Sequence, residues 1–232
     1  MFEGRRARRL HEQNPAEPWL AEGEWEPEGI TDRPRTTLLT QVLWLAFLSV
    51  FLAPFNYFVF VRPQDPGGVP FWVRGLIVLF DLIPLLMIVG ILTTLWHGAK
   101  YGRSRLRFAS FPFYLGGTLD VRFSSRRPIG SFEKMTFTLR CIEERTEVRR
   151  TSKGTSTQTV CDQVWADDRV FESSWALQEG EVPVSFRLPE GDYETRLAFA
   201  PARYWELEVA AVTPGLDFGA VFPVPVYARP RA

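Results

Sequence analysis

Histidine and cysteine are scarce in this sequence, which holds two of each: His11, His97, Cys141 and Cys161. Two cysteines are too few for a disulfide framework, and their spacing matches no metal-binding motif. A structural zinc site needs several Cys or His ligands gathered together, and a nucleophilic Ser or Cys needs an adjacent base. The sequence therefore predicts no enzyme active site, no metal site and no cofactor.

Charged residues are nearly absent from residues 38–99, where only Arg62, Asp65, Arg74 and Asp81 occur. The formal net charge of the whole chain is zero, so composition gives no indication of nucleic-acid binding. A long stretch of low charge between ordinary charged segments is typical of a region inserted in a membrane.

Two apolar runs, residues 38–61 and 71–96, lie within this stretch. At about 1.5 Å rise per residue, a helix over either run crosses the roughly 30 Å hydrocarbon core of a bilayer. Helices are required because backbone polar groups in lipid must be satisfied within the segment. Residues 62–70 are polar and rich in Pro and Gly, which predicts a short extracytoplasmic turn. We expect a transmembrane hairpin with both chain termini on one side.

The basic residues that flank the runs predict which side that is. Those on the terminal sides are Arg33, Arg35, Lys100, Arg103, Arg105 and Arg107, whereas the turn side has Arg62 and Arg74. Because cytoplasmic loops carry the excess of Lys and Arg, we expect cytoplasmic N- and C-termini. The predicted location is the cell (inner or plasma) membrane, as a multi-pass protein whose partners include the lipid bilayer.

Asp81 lies near the middle of the second run, where an ionised carboxylate is costly. Counting back from the turn places it near the level of Phe51 and Ser49, so Ser49 is the expected hydrogen-bond partner. Pro84 frees the carbonyl of Phe80 as another acceptor for a protonated Asp81. We interpret Asp81 and Ser49 as an intramembrane polar site. Structural hydrogen bonding is favoured over transport, because one carboxylate on two helices is little basis for an ion pathway.

From about residue 103 apolar and polar residues alternate, as in 119–123, 135–142, 182–188 and 205–209. This period of two, interrupted by turn residues, predicts half-buried strands in an antiparallel β-sandwich over 103–232. Residues 1–37 are predicted to be a polar, disordered tail and linker. Residues 133–149 and 156–172 predict a long hairpin that brings Cys141 near Cys161. A Cys141–Cys161 disulfide is geometrically conceivable, but two buried thiols are the favoured interpretation.

Other candidate functional residues are interpreted as structural. The carboxylates of Glu143-Glu144 and of Asp167-Asp168 point to opposite faces of a strand, so neither pair converges on a substrate bond. Asp217 is interpreted as a turn residue between the last two strands, with an exposed role left open. The tryptophans of the β region, interpreted mainly as core anchors, are Trp165, Trp175 and Trp205.

Several segments resemble an uncharacterised family of bacterial membrane proteins that carry a domain of unknown function. They are RYWELEVAAVTPGLDFGAVFPVPVY at 203–227, VPVSFRLP at 182–189, TLRCIEER at 138–145, FPFYLGG at 111–117 and PWLAEGEW at 18–25. The resemblance implies paired transmembrane helices followed by an arrestin-like (immunoglobulin-like) β-sandwich, with no assigned reaction. Relatives begin with a further membrane helix and soluble domain, so this chain resembles their C-terminal half.

These observations predict a non-enzymatic integral membrane protein that presents a cytoplasmic β-sandwich for protein interaction or scaffolding. The protein partner is not predicted, and oligomer formation is left open. The main alternative is an oligomeric transport or channel component that uses Asp81 within the membrane. A third hypothesis, an enzyme with a site in the β domain, requires a polar pocket with perturbed ionisable groups.

Overall fold

The structure of the 232-residue chain is a computed structural model. It describes residues 17–20, 25–32, 38–62, 68–127, 129, 132–151, 154–172, 181–197 and 199–229. The chain forms two compact units: a helical unit, Arg33–Lys100, and a β unit made of Met1–Asp32 and Tyr101–Ala232. The interpretation of Trp175 falls outside the described residues, as do most of the predicted tail and part of the predicted turn.

The helical unit contains two long apolar helices. Helix α1 spans Leu38–Asn56 and continues as a π-helical segment, Tyr57–Val61, and helix α2 spans Phe71–Tyr101. Both are long and apolar enough to cross a membrane, as predicted for residues 38–61 and 71–96, although α2 continues to Tyr101. Most of their large apolar side chains, such as Phe47, Leu79 and Leu86, are exposed.

A regular stripe of half-buried or buried positions runs along each helix. The stripe comprises Leu38, Gln41, Leu45, Leu48, Leu52 and Asn56 in α1, and Val73, Ile77, Asp81, Pro84, Met87 and Ile91 in α2. Its members recur every three or four residues, which is the spacing of a contact face in a helix pair. The two stripes therefore form the seam of the hairpin, and Asn56 and Asp81 are polar members of it.

Proline explains the change of helix type at the end of α1. Pro54 lies inside α1, where it lacks an N–H and crowds the carbonyl four residues earlier. Wider turns follow in the π-helical segment, and the Arg62 N–H donates to the Tyr57 carbonyl five residues back at 2.9 Å. Such single π turns occur inside helices, often at functional positions.

Two four-stranded antiparallel sheets make up most of the β unit, with orders β1-β2-β4-β7 and β6-β5-β8-β9; β3 and β10 form a small parallel pair. The strands are β1 (Gly29–Thr31), β2 (Ser104–Phe108), β3 (Phe113–Tyr114), β4 (Thr118–Ser125), β5 (Lys134–Thr151), β6 (Gly154–Phe171), β7 (Glu181–Arg187), β8 (Ala202–Val212), β9 (Phe218–Val224) and β10 (Val226–Tyr227). The predicted antiparallel architecture and the long β5–β6 hairpin are confirmed.

The two larger sheets share one apolar core. The ring of Phe123 in β4 contacts Phe137 in β5 and Phe222 in β9, with centroids 5.7 and 6.1 Å apart. Trp205 and Leu207 of β8 are fully buried in the same core. Alternate residues of each strand point inward, so the period-two pattern in the sequence corresponds directly to this core.

Strand β1 corrects the prediction that residues 1–37 form only a tail and linker. Gly29, Ile30 and Thr31 pair antiparallel with Arg107, Leu106 and Arg105 of β2. The pairing is extended by the Asp32 N–H, which donates to the Ser104 carbonyl at 2.9 Å. A three-residue strand is too short to show a hydrophobic period, which is why the sequence pattern missed it.

The pairing of β1 with β2 determines how the helical unit is connected. The chain leaves the β unit after Asp32 and re-enters it at Tyr101, whose side chain is buried and donates to the Leu216 carbonyl. Asp32 and Ser104 are in hydrogen-bond contact. The helical hairpin is therefore an insertion between two neighbouring strands of one sheet.

Candidate functional site

The polar contact in the helical unit differs from the one expected from the sequence. The side-chain amide of Asn56 donates to Oδ1 of Asp81 at 2.9 Å, whereas the Ser49 hydroxyl donates to the Leu45 carbonyl at 2.8 Å. Ser49 as the partner of Asp81 is therefore wrong. A helical serine readily satisfies its hydroxyl on the carbonyl four residues back, and Ser49 is exposed, off the seam.

Asp81 thus has a partner within the helix pair. The Asn56 amide also donates to the Leu52 carbonyl of its own helix at 3.4 Å, so Asn56 links the end of α1 to the first half of α2. A single polar pair in an apolar helix seam fixes the register of the two helices, and interhelical hydrogen bonds add to stability in lipid. An intramembrane role for Asp81 beyond this contact stays a prediction.

The two cysteines lie in different surroundings. Both are free; Cys141 is buried and Cys161 is exposed, so the favoured interpretation of two buried thiols is wrong for Cys161. In the β5–β6 register Cys141 is opposite Trp165, and Cys161 is opposite Glu144. The pairing register shifts after Cys141, and Cys161 lies on the exposed part of β6. The two thiols are therefore apart. Burial raises the pKa of the Cys141 thiol to about 12, which keeps it protonated and unreactive.

An ionic cluster holds the segment before β8 against β5. The guanidinium of Arg203 contacts the Glu143 carboxylate at 2.6 Å, and both side chains are 13% exposed. Arg203 also donates to the Asp192 carbonyl, and a hydrogen bond from Arg196 lowers the pKa of the Asp192 carboxyl. Every charge in this cluster has an opposite partner, so its role is structural.

Among the described residues, neither the Asp167–Asp168 pair nor the depression beside Trp165 brings a nucleophile and a base together. Asp167 accepts a hydrogen bond from Arg169 at 2.8 Å, while its neighbour Asp168 is exposed. An open depression of about 290 Å³ is lined by Gly116, Trp165, Arg187, Leu188, Pro189 and Glu190. Among the residues that the structure describes, no group of three or more His, Cys, Asp or Glu side chains could hold a metal ion.

The turn between β8 and β9 accounts for Asp217. Its Oδ1 accepts a hydrogen bond from the Thr213 N–H at 3.0 Å, and the Thr213 hydroxyl donates to the Leu216 carbonyl at 2.7 Å. Asp217 therefore stabilises the turn, as its position in the sequence indicates.

The distal part of the β5–β6 hairpin is the most exposed strand surface of the β unit. Strand β8 pairs with β5 only as far as Glu144, whereas residues 145–151 pair only with residues 154–160 of β6. We call these two segments the β5–β6 ribbon. Residues 145–148 and 154–159 are exposed on both faces of the ribbon, and Val148 is 59% exposed.

Strand β6 also differs from the other edge strands of the two sheets. It lies at the end of its sheet, and residues 154–161 contain neither a charge nor a proline. By contrast β1 is only three residues long, β7 contains Pro183 and β9 contains Pro223. Short length, proline and charge are the usual means of blocking unwanted strand pairing. Residues 154–161 therefore form an unblocked edge, which the sequence indicated only as a polar hairpin tip.

No protein-family model and no curated protein sequence matches the chain. Among solved structures, it is similar to Spo0M, a sporulation control protein from Bacillus subtilis, with 11% sequence identity and a TM-score of 0.33. The match covers 54% of this chain and 49% of that chain, about half of its length. A likeness this weak carries no argument, and neither the family-model nor the curated comparison supports the bacterial membrane-protein family named above.

Proposed function

We propose that this protein is a non-enzymatic membrane protein in which the helical hairpin anchors a β-sandwich that binds protein. The observation that carries the proposal is the insertion of two apolar helices between β1 and β2. A hairpin whose two ends return to one sheet crosses a bilayer twice and leaves the whole β unit on one side.

The helix surfaces support the membrane anchor. Large apolar side chains are exposed along both helices, among them Trp44, Phe47, Leu86 and Leu92. A continuous exposed apolar surface is unfavourable in water and marks contact with a membrane or another protein. Lipid covers such a surface without further partners, and the Asn56–Asp81 hydrogen bond favours an anchoring role over transport.

The β unit supports the interaction role. The Arg203–Glu143 and Arg196–Asp192 ion pairs of this unit are structural, whereas the β6 edge leaves backbone N–H and C=O groups open for pairing with another strand. Strand addition to an exposed sheet edge is an established mode of protein recognition. The cytoplasmic side and the arrestin-like character belong to the proposal as well; they rest on the flanking basic residues and on the sequence resemblance.

Fractionation tests the anchor. The full chain should remain in the membrane fraction after high-salt and alkaline washes. A variant in which about six Gly/Ser residues, spanning roughly 13 Å, replace residues 33–100 should be soluble, because Asp32 and Ser104 already lie in contact. Recovery of the full chain in the supernatant without detergent would refute the proposal.

Two further measurements test the side and the binding role. Reporter fusions at the carboxyl end should be active in the cytoplasm, as the basic flanks predict. After gentle solubilisation the full chain should be recovered in a complex, with itself or with another protein. Recovery as a lone monomer under several mild conditions contradicts the interaction role.

A further inference from the structure

The exposed edge of β6 indicates which partner the β unit binds. This inference rests on the proposed role of the β unit in protein binding. Along residues 155–161 the edge is uncharged and free of proline, and no strand pairs with it in the part of the chain that the structure describes. In an antiparallel pair alternate residues direct both N–H and C=O to one side. Alternate residues between Thr155 and Cys161 therefore direct backbone groups outward, where none of the described strands pairs with them.

The β5–β6 ribbon also lacks cover on its faces. Residues 145–148 and 154–159 are exposed, so none of the described strands packs on either face of this part of the ribbon. An isolated two-stranded hairpin is marginally stable in water, and a third strand adds both hydrogen bonds and side-chain contacts. The ribbon therefore gains stability from a strand added to β6.

We propose that the added strand is β6 of a second copy of this chain, paired antiparallel about a two-fold axis at Gln158. In this register Gln158 faces Gln158 of the other copy, Thr157 faces Thr159, and Gly154 faces Asp162. No charge is placed opposite a like charge. Asp167 and Asp168 lie beyond the start of the partner's β6, because that strand begins at Gly154.

Charge and symmetry both favour a second copy over an unrelated strand. Directly opposed like charges destabilise strand pairs, and the neutral segment 154–161 is complementary to its own antiparallel copy. A two-fold interface uses the same patch on both chains, so it closes at two copies and occupies the neutral part of the β6 edge in both. The resulting dimer joins the two β6-β5-β8-β9 sheets through their β6 strands.

The anchor compensates for the small size of this contact. Interfaces below about 1,200 Å² are typically weak and transient, and a single pair of short strands falls in that class. Anchoring raises the effective concentration of a tethered module and so increases its apparent affinity without any new contact. The dimer is therefore expected in membranes and in micelles at high protein density.

Cysteine cross-linking of the full chain tests the register directly. Gln158→Cys, made in a Cys161→Ala background, places two thiols face to face, because opposite Cα atoms about 4.5–5.5 Å apart are within disulfide reach. The matched control is Val148→Cys in the same background, which is exposed on β5 of the same ribbon but away from the edge. Mild oxidation in membranes should give a cross-linked dimer with Gln158→Cys and monomer with the control.

Charge reversal at the two-fold axis tests the pairing without any cross-link. Gln158→Lys alone and Gln158→Glu alone should each lose the dimer in micelles, halving the protein mass. Co-expression of the two variants should restore it as a mixed dimer, because opposite charges then face each other. Gln158 is exposed, so an unchanged far-UV circular dichroism spectrum of each variant verifies the fold.

The outcomes separate this inference from the proposed function. Cross-linking of Gln158→Cys no greater than that of the control, or a dimer that survives Gln158→Lys, overturns the β6–β6 pairing. A different protein whose binding is lost with Gln158→Lys also overturns it, but leaves the interaction role standing. Release of the full chain into the supernatant refutes the anchor, whatever the oligomeric state.

Discussion

Gly29 offers the sharpest test of the way β1 closes the sheet. Its φ is +136°, and a Cβ atom built there would overlap the Leu106 carbonyl oxygen and lie 2.8 Å from the Cα of Arg107. Both contacts are with the backbone of β2, which cannot move aside as a flexible side chain would. Gly29→Ala must therefore separate β1 from β2 or strain the backbone of both.

The expected loss of stability in Gly29→Ala follows from these two effects, backbone strain and separation of β1 from β2. A non-glycine residue in a sparsely populated backbone region costs about 1–3 kcal/mol, and each backbone hydrogen bond lost on separation contributes about 1 kcal/mol. We expect Gly29→Ala to destabilise the β1–β2 pairing by about 2–3 kcal/mol. Since about 1.4 kcal/mol corresponds to a factor of ten, local opening should become at least roughly 30-fold more frequent.

Hydrogen exchange of the full chain in micelles measures this opening at two amides. The Asp32 N–H is bonded to Ser104 and the Phe108 N–H to Glu28, so both exchange faster once β1 detaches. The control is Gly219→Ala in β9, where an added Cβ meets nothing within 4 Å. That change should be neutral or slightly stabilising. If Gly29→Ala costs no more than the control, the described pairing of β1 is incorrect.

Three further substitutions or treatments have expected outcomes. At pH 8 a thiol reagent should modify Cys161 and spare Cys141 in the folded protein, as mass spectrometry of the labelled peptides would show; burial raises the pKa of Cys141 to about 12. Asn56→Leu should weaken the helix pair by about 1 kcal/mol in SDS titrations, because Asp81 loses its donor. Arg203→Met should lower the free energy of unfolding by about 2 kcal/mol in urea titrations, since Glu143 keeps only its 3.5 Å contact with Arg145 and the Asp192 carbonyl loses its donor.

Each of these predictions has a matched control. Ser49→Ala should leave the stability of the helix pair unchanged, because the Ser49 hydroxyl bonds within its own helix. An effect as large as that of Asn56→Leu would instead support Ser49 as the partner of Asp81, as predicted from the sequence. Arg196→Met should cost less than 1 kcal/mol, because its partner Asp192 is 71% exposed. Labelling of Cys141 as fast as Cys161 in the folded protein would show that the core around it opens.

The pH dependence of stability from Cys141 has a definite sign. The pKa of its thiol rises on folding from 9.0 to about 12, so the folded state binds the proton more tightly than the unfolded state. This contribution to stability is complete below pH 9 and is lost as the pH rises from 9 through about 12. Cys141→Ala should flatten the stability profile in that interval.

Long periodic segments were predictable from the sequence. Residues 38–61 and 71–96 are apolar throughout, and residues 133–149 and 156–172 show the pattern of a long hairpin; helices α1 and α2 and strands β5 and β6 occupy these positions. In each case one local property, either hydropathy or alternation, extends over enough residues to outweigh local exceptions. Tertiary context is not needed to interpret such segments.

The features that were missed depend on contacts between distant segments. Nothing within Gly29–Thr31 indicates a strand, because its partner β2 lies beyond the helical hairpin. Counting along the helices gave the approximate level of Asp81, but only the stripe of half-buried positions distinguishes Asn56, on the seam, from Ser49, off it. The exposure of Cys161 likewise depends on the pairing register, which places it opposite Glu144, three residues along β5 from the buried Cys141.

Placing the helical hairpin between β1 and β2 has a consequence for biosynthesis. During translation β1 emerges first and must wait, without a partner, until both helices have been made and β2 follows. If the chain is inserted into a bilayer during synthesis and one helix fails to insert, β1 and β2 lie on opposite sides of the membrane and cannot pair. Pairing of β1 with β2 therefore forms only when both helices are correctly inserted. A chain with the wrong topology keeps an unpaired edge at β2, which quality-control proteases can recognise.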